Sequence, residues 1–170
     1  MKPLLVGEAP GPQGDPEAPL DGKPAGRLLE CMGWTRAELE GEDTGVQLRE
    51  MFEVRNLIDR PMERPEGTKG CEWPKEEAEE AANRLAVLVE RGQRVVFLGK
   101  RVASAFPAVD ARAWWHWNVL GGEWSVAGIA YATIPHPSGI VRTWNEPVNR
   151  VRAGMVLWQA LGKIDARVGP

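Results

Sequence analysis

Glu8 and His136 each stand inside a turn framed by proline and glycine, Gly7-Glu8-Ala9-Pro10-Gly11 and Pro135-His136-Pro137-Ser138-Gly139, and each turn directly follows an apolar, strand-like run. A carboxylate so placed can orient a water or stabilise developing positive charge, and an imidazole can donate to a developing anion near neutral pH. The glycines let the backbone pass close to a ligand and offer N–H groups, while Pro137 stiffens the turn and Ser138 or Gly139 can present main-chain donors to a phosphate. The plainer readings are a tight turn with a solvated Glu8 and a buried His136 that satisfies a loop carbonyl.

Asn56 closes a further strand-like run. Its amide carries a donor and an acceptor side by side, so it can bond edge-on to a base that presents neighbouring O and N–H groups; a turn or cap role is the alternative. Next to the histidine turn, Arg142 can clamp a phosphate and Trp144 can wedge into the gap left by an extruded base, or anchor the last helix as a core residue. The chain has eight tryptophans, so most must be structural. His116, flanked by Trp114, Trp115 and Trp117, reads as structural too.

These side chains must be held by one core. A chain of 170 residues that is 43% apolar can bury one, so a single domain over residues 1–170 is expected. A net charge of -3 argues against a broad electrostatic grip on nucleic acid and leaves room only for small, local contacts. Cys31 and Cys71 form no CxxC pair and signal neither a zinc site nor a cluster. The run from Met1 to Val6 is too short for a signal-peptide core, and no apolar run approaches the ~20 residues of a spanning helix. A cytoplasmic monomer with no membrane contact is the expectation.

Residues 3–6 form a strand that empties into a Pro/Gly/Asp-rich loop reaching Gly26. A helix over 26–32 stops at Gly33, and Thr35 caps a second short helix through Glu40. Residues 51–58 read as a second buried strand opening into a Pro-rich loop. Pro74 begins a helix in which Ala78, Ala81, Ala82, Leu85, Leu88 and Val89 recur at helical spacing. A β-branched run over 94–98 closes at Gly99, and an amphipathic piece over 101–106 ends at Pro107. Gly121-Gly122 can join 115–120 to 123–126 as a hairpin, and 129–134 returns as a buried strand into the histidine turn. Asn145 and Pro147 open a final helix with Val148, Val151, Met155, Trp158 and Leu161 as its apolar stripe. Alternating strands and helices imply a mainly parallel sheet covered on both faces.

Taken in order, these segments resemble the uracil-DNA glycosylase superfamily, most closely its family-four and family-five branches. Gly7-Glu8-Ala9-Pro10-Gly11 is similar to the first glycosylase motif, and residues 21–29 to the loop and helix start that follow it. Arg55-Asn56-Leu57-Ile58 is similar to the strand end whose Asn reads the base edge, residues 95–99 to the next strand, Gly122-Glu123-Trp124 with Gly128-Ile129 to the late hairpin, and His136-Pro137-Ser138 to the second catalytic motif. The resemblance implies a three-layer α/β/α domain around a four-stranded parallel sheet, and an enzyme that flips a nucleotide of single- or double-stranded DNA and hydrolyses its N-glycosidic bond. It makes Glu8 or Asp15 the carboxylate near the sugar and His136 the group that stabilises charge on the departing base. Ala9, Leu20 and Asn56 become the base pocket, and Gly11, Pro137, Ser138, Gly139, Arg142 and Trp144 the DNA contacts. No cofactor or metal is expected, because the family-four iron–sulfur cysteines are absent.

The chain departs from the family at three places. Leu20 falls where an aromatic normally stacks on the base, the loop carries one extra residue near Pro24, and residues 138–145 replace a leucine-bearing insertion loop. An aliphatic residue leaves more freedom around the base and points to a related altered pyrimidine as readily as to uracil. A non-catalytic base- or nucleic-acid-binding protein on the same fold, or a hydrolase of free nucleosides or nucleotides, are the alternatives.

Overall fold

The computed structural model describes residues 1–10, 18–62, 71–107, 109–111, 114–119, 129–137 and 142–163. Four strands, β1 (Leu4–Gly7), β2 (Glu53–Asn56), β3 (Arg94–Leu98) and β5 (Ala130–Ile134), run parallel in the order β2-β1-β3-β5, and a two-residue strand, β4 (Asn118–Val119), adds antiparallel to the edge of β5. Helices cover both faces. The result is a three-layer α/β/α architecture.

The two-residue period of the strands sorts the core into two halves. Leu4, Val6, Val95, Phe97 and Tyr131 point to the face covered by α4 (Lys75–Leu88) and α5 (Lys100–Ser104), where Ala78, Ala82, Leu85, Val102 and Ala103 meet them. Leu5, Val96, Leu98, Ala132 and Ile134 point to the opposite face and meet Leu28 and Leu29 of α1 (Lys23–Cys31), Leu48 of α3 (Thr44–Met51), and Val156 and Leu157 of α6 (Pro147–Ala160).

The short helix expected after Thr35 is α2 (Arg36–Leu39), fastened by a reciprocal capping box between Thr35 and Glu38. Helix α3 is not among the expected elements; Asp43 starts it by accepting from the Val46 N–H. The last helix forms where expected but turns differently. Of the expected stripe, Trp158 and Leu161 are half-buried against the core while Val148 and Val151 are exposed, and Ala153, Val156, Leu157 and Ala160 are buried. Gly154 decides this rotation: a Cβ there would lie 2.0 Å from the Cys31 carbonyl oxygen, so α6 crosses α1 at backbone distance on its small-residue side. Residues 118–119 pair with β5, and the second arm of the expected hairpin, 123–126, lies outside the described residues.

Candidate active site

All four parallel strands end on the same edge of the sheet, and the chain leaves β1 and β3 toward opposite faces. The first connection passes through α1 to α3, whereas β3 continues into α5 on the other face. Between such strands the carboxyl edge opens a crevice, the place where open α/β sheets hold ligands. Glu8 follows β1, Gly99 follows β3 and His136 follows β5.

Gly99 measures how tightly they converge. A Cβ on Gly99 would lie 3.4 Å from Glu8 Oε1 and 3.3 Å from His136 Cβ, so the carboxylate and the imidazole stem flank one point above the end of β3. The glycine also adopts φ +108, a backbone conformation closed to most residues, and this lets the chain turn beneath both side chains. The β1 backbone is held on its other side by β2, where the Leu57 and Ile58 N–H groups donate to the Gly7 and Glu8 carbonyls at 2.9 Å.

Burial governs the protonation of both groups. It pushes the Glu8 carboxyl above its ordinary value, opposed by the positive charge of Arg101 on α5. Burial, with a smaller push from Arg101, drives the His136 imidazole down to about 4, so at neutral pH this ring is uncharged and offers one N–H and one lone pair.

The histidine turn is anchored at two successive carbonyls. The Trp144 indole Nε1–H donates to the His136 carbonyl at 2.7 Å, and the Arg27 guanidinium, from α1, donates to the Pro137 carbonyl at 2.8 Å. Trp144 is only 1% exposed, which corrects its assignment as a DNA wedge: it sits in the α1/α6 core and holds the turn from below. Pro137 is likewise buried, so what it contributes is the carbonyl that Arg27 grips. Arg142 is exposed at the start of a 3-10 turn, Arg142–Asn145. Ala9 is half-buried and packs against the α4/α5 core. Gly11, Asp15, Ser138 and Gly139 lie outside the described residues.

Asn56 pairs in register with Gly7, and its amide lies over that glycine: a Cβ on Gly7 would be 2.8 Å from Asn56 Oδ1 and 3.5 Å from a methyl of Leu20. Both Oδ1 and Nδ2 of Asn56 are buried and neither has a hydrogen-bond partner. An unsatisfied buried polar group costs about 1–3 kcal/mol, a cost that a ligand edge bearing a matching donor and acceptor removes on binding. Leu20 is buried beside it and holds a left-handed backbone, φ 60. Such conformations in non-glycine residues concentrate at ligand sites.

No protein-family model matches the chain, and no curated protein matches its sequence. Sequence reasoning missed Arg101, Arg27 and Gly99. Arg101 is one of 21 basic residues, with no local pattern to separate it; only the packing of α5 against the strand ends brings its charge to Glu8 and His136. Gly99 was legible as a strand stop but not as the floor of the crevice. Among the described residues, no group of three His, Cys, Asp or Glu side chains is placed to hold a metal, and no helix is long and apolar enough to cross a membrane.

Proposed function

We propose that this chain is a DNA glycosylase that hydrolyses the N-glycosidic bond of uracil or a related altered pyrimidine in a flipped nucleotide. The observation that carries the reading is the buried, unpartnered Asn56 amide beside the Glu8–His136 crevice. An amide with both hydrogen-bonding atoms unsatisfied is matched to a ring edge with an acceptor next to a donor, as the O4/N3–H edge of uracil presents.

In this mechanism Asn56 holds the base by its edge, its Nδ2 donating to a base oxygen and its Oδ1 accepting from the ring N–H. The neutral His136 donates its N–H to the base oxygen on which negative charge grows as the bond to the sugar breaks, and a neutral donor avoids the desolvation cost of a buried cation. Glu8, whose carboxylate form burial disfavours and the nearby Arg101 charge favours, faces the sugar carbon as it becomes positive and orients the water that attacks it. Water adds to the sugar carbon, the base leaves with the bonding electron pair and is protonated, and an abasic site remains. Base flipping delivers the nucleotide to a crevice that no base within a duplex could reach.

The decisive experiment is to incubate the protein with single-stranded and duplex oligonucleotides carrying uracil, 5-hydroxymethyluracil and other altered pyrimidines. Released base is then detected by mass spectrometry and abasic sites by alkaline cleavage. Release of at least one base is expected. Oligonucleotides that all stay intact would remove the proposal, and release from free nucleosides alone would replace it with a monomer hydrolase.

A further inference from the structure

The loop that carries Leu20 is fastened at three consecutive residues. Leu20 itself packs a methyl and its Cγ within 3.7 Å of the point above Gly7 that Asn56 Oδ1 also approaches. The next residue, Asp21, binds Arg49 of α3 at 2.6 Å and rests against the first turn of that helix so closely that a Cβ on Gly45 would fall 1.9 Å from its carboxylate. The residue after it, Gly22, accepts from the Thr44 hydroxyl at 3.0 Å. Lys2 Nζ ties the far side by donating to the Arg49 carbonyl.

We propose that Leu20 is a plug over the Asn56 amide and that Asp21, Thr44, Gly45 and Arg49 form the latch that sets it, an inference that rests on Asn56 being the base reader. The physical case is an imbalance. With the amide sealed and unpartnered, and Leu20 in a left-handed backbone, the closed arrangement carries two local penalties side by side. Relaxing Leu20 to negative φ would relieve its strain and let water or a base reach the amide. Burial of the isobutyl group and the latch at residues 21 and 22 oppose that relaxation. Pro19 and Asn56 already line a groove of 350 Å³ beside β2, so a short outward movement of the loop suffices to wet the amide. Asp21 and Arg49 are then positioning residues: they touch no substrate and set the fraction of molecules ready to accept a base.

The test uses the full chain labelled with ¹⁵N. The Asn56 side-chain NH₂ signals are assigned by their loss in Asn56→Ala, and their exchange with solvent is measured in the wild type, in Asp21→Asn, which is isosteric and half-exposed, and in Arg49→Gln. Slow exchange in the wild type and an increase of about tenfold or more in both variants are expected. Against an oligonucleotide substrate, both variants should lower KM about three- to tenfold with kcat within about twofold, because opening no longer draws on binding energy. Wild-type-like exchange in both variants, or a fall in kcat at unchanged KM, would overturn the latch. The exchange comparison needs no substrate, so inactivity on every oligonucleotide would end the glycosylase reading while the latch is still decided by the NH₂ signals.

Discussion

Glu8 Oε1 and His136 Cβ, 128 positions apart in the chain, approach one point above Gly99 to 3.4 and 3.3 Å. Parallel pairing of β1 with β3 and of β3 with β5 enforces this: three strand ends in register put three successive turns side by side, and a glycine in the middle leaves room between the outer two. The crevice is therefore a property of the sheet, and its chemistry is a property of what flanks the glycine.

Loss of either polar group assigned to the base in the proposed reaction should slow chemistry more than binding. His136→Ala and Asn56→Ala are each expected to reduce kcat about a hundredfold or more while changing affinity for oligonucleotide by much less, since in the proposed reaction both act on the departing base. Single-turnover kinetics beside fluorescence-anisotropy titrations separate the two quantities. Equal losses in both would mean that the residues only grip DNA.

The uncharged state of His136 sets a pH signature. Its folded pKa of about 4 lies below the ordinary 6.5, so its contribution to stability is complete above pH 6.5 and is lost as pH falls toward 4, by roughly 3 kcal/mol in all. Glu8 acts in the other direction. Its raised value means that folding binds the proton more tightly, which favours the folded state as pH falls through the region just above 4.5. Denaturation midpoints of the wild type and His136→Gln across pH 4–7 isolate the histidine: the wild type should lose more stability on acidification. The rate profile of the wild type should show no inflection at 6.5; one there would mean that the ring is charged more readily than its burial allows.

Gly7→Ala separates function from fold. The new methyl must displace Asn56 Oδ1 from 2.8 Å, and an amide at the end of a rotatable side chain can yield where backbone could not. A stability loss below about 1 kcal/mol is expected with a drop in kcat/KM of about tenfold or more, because the amide would no longer meet the base squarely in the proposed reaction. Thermal melts and steady-state kinetics check both halves. Unchanged activity would mean that the amide's placement over Gly7 is irrelevant to the reaction.

Trp144→Phe keeps a ring in the core but deletes the indole N–H that the His136 carbonyl accepts. A destabilisation of about 1–3 kcal/mol is expected, together with a fall in kcat as the turn loosens. Thermal unfolding and kinetics read it. A variant with full activity would show that the turn is held well enough by Arg27 and the flanking prolines.

Much of this molecule was legible from local pattern alone. Strands β1, β3 and β5, helix α4 and the Thr35 cap follow from β-branched runs, helical spacing of alanine and leucine, and a polar residue at a helix start, all of them short-range preferences of the backbone. Glu8, Asn56 and His136 stood out because each sits at a strand end, and strand ends of a parallel sheet share an edge. The buried side of α6 was not legible: valines at helical spacing made the more apolar stripe, yet Gly154 allowed closer backbone contact on the opposite side, and the gain in packing across α1 outweighed the exposure of Val148 and Val151. Only the tertiary structure decided that Trp144 faces inward to hold a carbonyl, that Arg101 lends its charge to two distant groups, and that Leu20 and the unpartnered Asn56 amide approach the same point above Gly7. Those outcomes depend on distances between segments far apart in the chain, which periodicity and turn chemistry do not encode.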